Sequence, residues 1–140
     1  MPSRLNPYLS FNGNAREAME FYRGVFGGHL DTSTWGEGGM SDDPADTDRL
    51  MHAQLEADNG MTLMGSDAPT ARPTPQESNI TISLSGDDEA ELSGYFTKLQ
   101  DGGTVTMPLA KADWGDQFGM LTDKFGVGWM VNIAATPAES

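Results

Sequence analysis

Two rhythms run along the chain: a short-range alternation of apolar and polar residues, and apolar stripes of helical period between the alternating stretches. In Leu5 to Phe11, Leu9 and Phe11 alternate with Asn6, Tyr8 and Ser10. That pattern predicts a strand with one apolar and one mixed face. Asn12-Gly13-Asn14 reads as a turn. Asn14 with Glu17 forms a capping-box pattern, in which the Asn side chain accepts from a first-turn N–H and Glu reaches back. Ala15, Ala18, Met19, Tyr22, Val25 and Phe26 then line one side of a helix. Gly27-Gly28 ends it, because glycine takes up the left-handed C-terminal conformation without a Cβ clash.

The alternation resumes at His29 to Trp35, a strand rich in Thr and aromatic residues. A Gly/Asp-rich loop, Gly36 to Arg49, follows. Leu50 to Glu56 predicts a third strand, with Met51, Ala53 and Leu55 on one face and His52, Gln54 and Glu56 on the other. Asp58-Asn59-Gly60 is a hairpin signal, and Met61 to Ser66 the fourth strand. Asp67 to Ser78, with Pro69, Pro73 and Pro75, reads as a stiff polar linker.

The order then repeats. Asn79 to Ser85 alternates Ile80, Ile82 and Leu84 against Asn79, Thr81 and Ser83. Gly86-Asp87 turns, and Asp88 with Glu91 repeats the capping signal. Leu92, Tyr95, Phe96 and Leu99 make a second helical stripe, closed by Gly102-Gly103. Gly13 and Gly86, Tyr22 and Phe96, and Gly27 and Gly102 lie 73, 74 and 75 residues apart, which marks an internal duplication. Strands around Val105 and Met107, over Phe118–Thr122 and over Val127–Ile133 complete it, with Asp123-Lys124-Phe125-Gly126 as the last turn. The predicted fold is α+β: two tandem βαβββ modules, about 5–66 and 79–134 with a linker at 67–78. They form a single domain with a curved mixed sheet, whose mixed faces share a concave cup. Ligand pockets favour such partly apolar concavities.

Charge and composition narrow the partners. The 140 residues include 21 Asp and Glu against 8 Lys and Arg, a formal net charge of -13. Polyphosphates need a surplus of cations, so neither nucleic acid nor an anionic membrane is an expected partner, whereas a cationic small-molecule ligand, or simply solubility, is left open by the charge. There are no cysteines, so no disulfide, thiolate metal cluster or thiol nucleophile is available. Met1 to Leu5 has no apolar run of signal-peptide length, and the expected compartment is the cytoplasm.

At the level of motifs the sequence resembles the vicinal oxygen chelate superfamily, which includes glyoxalase I, extradiol dioxygenases and bleomycin-resistance proteins, and within it the PhnB-like branch. The matching segments are Tyr8 to Tyr22, Met51-His52-Ala53, Gly65-Ser66-Asp67, Trp114 to Gly119 and Asp123 to Asn132. Relatives often carry a demethylubiquinone-methyltransferase-like label, but no glycine-rich strand-to-helix turn of the kind that cradles a nucleoside cofactor is present. The resemblance implies a homodimer whose cups are built from both modules, either within a chain or exchanged between chains. It also implies four metal positions, which fall at Asn6, Met64, Asn79 and Met130. None is His, Asp or Glu; amides are weak ligands for zinc or iron, and thioethers prefer soft ions such as copper(I). No metal and no cofactor is therefore expected, and Lewis-acid polarisation of a substrate carbonyl is lost with them.

The mixed faces supply the candidate site. His52 is the one candidate for a catalytic base, or else a structural histidine bonded to a neighbouring backbone group or hydroxyl. Tyr8 and Trp114 could stack on a flat or cationic ligand. Asn6, Ser10, Gln54, Met64, Ser66, Asn79, Thr81, Ser83, Met130 and Asn132 join them as ligand-binding positions. Trp129 shares its parity with Val131 and Ile133 and is expected to face the helices. Asp42, Asp43, Asp46 and Asp48 crowd one loop without the spacing of a calcium loop, and read as a solvated loop or a mobile acidic lid. Neither Ser66 nor Ser83 sits in a nucleophile elbow. The expected function is a metal-free small-molecule-binding protein with a polar-aromatic cup. Two alternatives stand beside it: an enzyme of the same superfamily, of lyase, isomerase or dioxygenase type, using His52 or a non-standard metal site; and an interaction module acting through its dimer surface.

Overall fold

The first apolar stripe folds as expected. In the computed structural model, which describes residues 3, 5–37, 44, 46–70, 73 and 79–135, the chain forms two compact units, residues 1–76 and 77–140. Unit one contains β1 (Tyr8–Phe11), α1 (Ala15–Phe26), β2 (His29–Thr34), β3 (Leu50–Glu56) and β4 (Thr62–Asp67). Its sheet has the order β1-β4-β3-β2. β1 runs parallel to β4 and the other neighbours are antiparallel. α1 lies on one face and buries Ala15, Ala18, Met19, Tyr22, Val25 and Phe26 together with Phe11, Ala53, Leu55 and Leu63. Each fully buried side chain of the size of Met19 or Leu55 contributes about 1.5–3 kcal/mol of transfer free energy. The apolar alternation of the sequence and this covered face are the same fact.

α1 starts differently from the expectation. Asn14 makes no side-chain cap. Instead the buried carboxylate of Asp67, at the end of β4, accepts from the backbone N–H groups of Gly13 (2.8 Å) and Ala15 (2.9 Å) through Oδ1. Its Oδ2 accepts from Leu50 N–H (2.9 Å) at the start of β3. A charged acceptor at a helix N-terminus satisfies orphan donors and meets the positive end of the helix dipole. The cap is thus long-range and ties three elements together. At the other end Gly27, at φ 73°, donates to the Arg23 carbonyl (2.8 Å) and stops the helix.

β3 also departs from simple alternation. The β2–β3 register shifts between Ser33 and Thr34, which pair with His52 and Leu50 and leave Met51 as the extra residue. This bulge reverses the phase, so Leu50 is buried where Met51 had been expected, while Ala53 and Leu55 keep their places. β1 begins only at Tyr8, and Leu5 is exposed. Asp67 belongs to β4 rather than to a linker.

Unit two repeats the plan with β5 (Thr81–Gly86), α2 (Glu89–Leu99), β6 (Thr104–Lys111), β7 (Gln117–Thr122) and β8 (Gly128–Ile133). The order is β5-β8-β7-β6, with β5 parallel to β8. Here the predicted cap forms: Asp88 accepts from Glu91 N–H at 3.0 Å. Leu84, Leu92, Phe96, Leu99, Leu121, Trp129, Val131 and Ile133 make its core, and Tyr95 is only half-buried. Buried Asp123 knots the β7–β8 turn, accepting from Phe125 N–H (2.8 Å) and Val127 N–H (3.0 Å) at Oδ1 and from the Trp129 indole (2.9 Å) at Oδ2. Trp129 therefore faces the helix, as its parity requires. The fold is α+β, two βαβββ modules each with its own four-stranded mixed sheet. No helix of the described residues is long and apolar enough to cross a membrane.

Candidate functional site

The face of the unit-one sheet opposite α1 is assembled by the register. Tyr8 pairs with Met64 and Met64 with Gln54, which in turn pairs with Asp31. The adjacent row runs from Ser10 to Ser66, then past His52 to Ser33. Side chains at alternate positions share a face, so Tyr8, Ser10, His52, Gln54, Met64 and Ser66 stand on one surface, as their sequence parity requires. Asp31 and Ser33 share it. They were not singled out in the sequence, although the alternation of Leu30 and Thr32 against His29, Asp31 and Ser33 carries that signal.

The sharpest contact on this face joins β1 to β3 over the intervening β4. The Tyr8 hydroxyl lies 3.1 Å from Nδ1 of His52, with ring centroids 5.7 Å apart and planes tilted by 40°. With the imidazole proton on Nε2, the phenol donates to Nδ1; with it on Nδ1, the phenol oxygen accepts. Tyr8 is 50% exposed and His52 half-buried, so the pair is open to solvent on one side. His52 is thus bonded to a neighbouring hydroxyl, that of Tyr8. Gln54 is turned along its own strand toward Glu56 Oε2 (3.3 Å). His29 is exposed and holds Asp31 at 2.9 Å. Asn6 precedes β1 and is half-buried.

In unit two, Thr81 and Ser83 are exposed on β5, opposite Gly128 and Met130. Asn79 is exposed just before that strand. Asn132 donates to Asp116 Oδ2 (3.0 Å), and Asp116 Oδ1 accepts from Ala135 N–H (2.9 Å). The Ala135 N–H first, and the Asn132 amide second, hold the Asp116 carboxyl below the usual range against the opposing effect of burial. Trp114, 65% exposed in the β6–β7 turn, meets Phe118 edge-on at 5.8 Å. With Tyr8 matched to Thr81 by the duplication, the register sets Met64 opposite Tyr8 but Met130 opposite Ser83. The two methionines therefore stand two residues apart in the repeat, and Ser66 is the ladder counterpart of Met130.

The acidic loop separates into parts. Asp42 and Asp43 lie outside the described residues. Asp46 is buried, not solvated: Oδ1 accepts from the Thr70 hydroxyl (2.7 Å) and N–H (3.0 Å). Arg49 approaches it at 3.8 Å and donates to the Ala68 carbonyl at 2.9 Å. The Thr70 hydroxyl and then its N–H pull the Asp46 carboxyl below its ordinary range; burial opposes them and Arg49 adds to them. Asp48 is exposed.

The donor chemistry at the four inferred metal positions is amide, thioether, amide and thioether. Among the described residues no three His, Asp or Glu side chains are grouped to hold a metal ion. The residues present do not fit the imidazole–carboxylate cage of the superfamily's metalloenzymes.

Two βαβββ units with this register define a glyoxalase-type fold. The chain belongs to the Glyoxalase/Bleomycin resistance protein/Dioxygenase superfamily, whose pattern it matches over residues 4–131. It is similar to protein PA1353 of Pseudomonas aeruginosa, with 42% identity and a TM-score of 0.81 over 96% of this chain and 100% of that one. It also resembles the PhnB protein of Bacillus cereus, with 27% identity and a TM-score of 0.72 over 94% and 100% of the two chains. Protein YjdN of Escherichia coli K12 is 29% identical over 92% of this chain and 94% of that protein. The PhnB-like resemblance read from the motifs is thus upheld.

Proposed function

We propose that the protein binds a small organic molecule on the open, polar-aromatic sheet face and does so without the divalent metal of its enzyme relatives. The observation that carries this reading is the Tyr8–His52 hydrogen bond on a face that also presents Ser10, Gln54, Met64 and Ser66. A phenol and an imidazole held together offer a donor, an acceptor and two aromatic edges to a ligand. The acid surplus favours a cation. The unit-two positions Asn79, Thr81, Ser83, Trp114, Met130 and Asn132 extend the same reading, which takes the protein to be a cytoplasmic homodimer. A thermal-shift panel of cationic antibiotics and α-keto thioesters tests it. A true ligand at a hundredfold excess over its Kd adds about 2.7 kcal/mol of stability.

The same hydrogen bond favours a second reading, an enzyme of lyase, isomerase or dioxygenase type with His52 as its base. In that case the imidazole carries its proton on Nδ1 and donates it to the Tyr8 oxygen, which leaves Nε2 to take a proton from substrate and hold it on the ring. His52→Ala then abolishes turnover of a substrate that the wild type converts; unchanged turnover removes His52 from this role.

A further inference from the structure

On the open face of each sheet one amide side chain is held by a carboxylate. In unit one, Gln54 lies between Ala53 and Leu55, which are buried on the α1 side, so its side chain stands on the opposite face. Its Nε2 donates to Glu56 Oε2 at 3.3 Å. In unit two, Asn132 lies between Val131 and Ile133, which are buried on the α2 side, and it too stands away from its helix. Its Nδ2 donates to Asp116 Oδ2 at 3.0 Å. Asp116 is itself anchored, because its Oδ1 accepts from the Ala135 N–H at 2.9 Å. A carboxylate only accepts hydrogen bonds, whereas an amide has a donating NH2 end and an accepting carbonyl end. The carboxylate therefore decides which way each amide points: NH2 toward Glu56 or Asp116, carbonyl oxygen away. Among the described residues, no donor bonds Gln54 Oε1 or Asn132 Oδ1.

We propose that these carbonyl oxygens select a cation that carries N–H donors, a primary ammonium, and that Glu56 and Asp116 are the positioning residues that enforce the choice. This rests on the small-molecule reading above and names what its cation must carry. An ammonium N–H gives a carbonyl oxygen a charge-assisted hydrogen bond. A quaternary ammonium of the same skeleton has the charge but no N–H, and leaves that oxygen unfilled. A ligand whose polar groups are all oxygen acceptors meets another acceptor there and is disfavoured. The two carboxylates act through the amides: each spends an oxygen on the NH2 group and so keeps the carbonyl turned to the ligand.

The probes are phenethylammonium and its N,N,N-trimethyl analogue, alike in charge and ring, titrated into ¹⁵N-labelled full-length protein. The expected result is binding of the N–H probe about tenfold more tightly, the worth of one charge-assisted hydrogen bond, with the side-chain NH2 signals of Gln54 and Asn132 moving. Gln117 is the control. Its Nε2 is held in the same way by Glu89 at 2.8 Å, but it is paired with buried Ile133 on the α2 side, so its signals should stay in place. In Glu56→Gln and Asp116→Asn the new amide donates as well as accepts, so the amide it holds is free to turn and the preference at that face falls toward parity. Loss of the negative charge weakens both probes alike and cancels in the ratio. If Asp116→Asn does not fold, Glu56→Gln, at an exposed position, carries the test on the unit-one face. Equal affinity of the wild type for the two probes, or a preference that survives the substitutions, would overturn the roles of Glu56 and Asp116 and leave the small-molecule reading standing. Silence of both probes on both faces would overturn the two together.

Discussion

The hydroxyl of Tyr8 reaches across β4 to Nδ1 of His52, 3.1 Å away, and so couples the first strand of the unit-one sheet to the third. Tyr8 is half exposed and the bond lies outside the core. A solvent-facing hydrogen bond of this kind contributes about 0.5–1.5 kcal/mol at most. The pair is consequently available to a ligand at small structural cost.

Tyr8→Phe and His52→Ala should therefore each change stability by no more than about 1 kcal/mol. Both should weaken whatever ligand the wild type binds. Urea denaturation and calorimetry on the same samples separate the two effects. A large loss of stability with unaltered ligand affinity would assign the pair to the fold instead.

Asp67 stands at the opposite extreme. Its buried carboxylate takes backbone N–H groups from Gly13, Ala15 and Leu50, so Asp67→Ala strands three donors at once. The expected loss is about 3–5 kcal/mol, on the scale of about 1–3 kcal/mol for each unsatisfied buried group with partial relaxation. Asp67→Asn keeps an acceptor oxygen and should lose less. Chevron or equilibrium unfolding of the two variants gives the ordering.

This carboxylate also shows where the sequence was legible and where it was not. Asp88 and Glu91 lie three residues apart, and their cap could be read directly. Asp67 is far in sequence from Ala15, and local pattern favoured Asn14, the nearer polar group. Alternation placed Ala53, Leu55, His52 and Gln54 on their correct faces. It failed at Met51 and Leu50, because a bulge is set by the partner strand and leaves no mark in its own composition. The shared face of the candidate residues on β1, β3 and β4 was visible by parity. That Tyr8 meets His52 was not, since it depends on the strand order β1-β4-β3.

Asp46 yields a pH prediction. Its folded pKa is depressed by the Thr70 hydroxyl and N–H, aided by Arg49. A depressed carboxyl contributes stability that is present above its unfolded pKa and is lost as pH falls through the folded one. Asp46→Asn should then be most destabilising at neutral pH, and its deficit should shrink in acid below the ordinary carboxylate range. Thermal midpoints of both proteins across that range check the sign. A deficit that grows in acid would contradict it.

Metal analysis bears on the divalent position. Untagged protein purified from medium supplemented with zinc, nickel, manganese and iron should carry none of them stoichiometrically, because the inferred positions offer amides and thioethers. A full equivalent of any one, lost on changing Asn6, Met64, Asn79 or Met130, would reverse that reading.

The most direct test of the central claim is a fragment screen by two-dimensional amide NMR, with binding mapped onto the chain. Organic fragments that bind, cations foremost among them, should perturb the amides of Tyr8, Ser10, His52, Gln54 and Ser66, and the perturbations should disappear in the Tyr8→Phe/His52→Ala double variant. Fragments that bind equally well to the double variant, or that map only to the α1-covered face, would contradict the account.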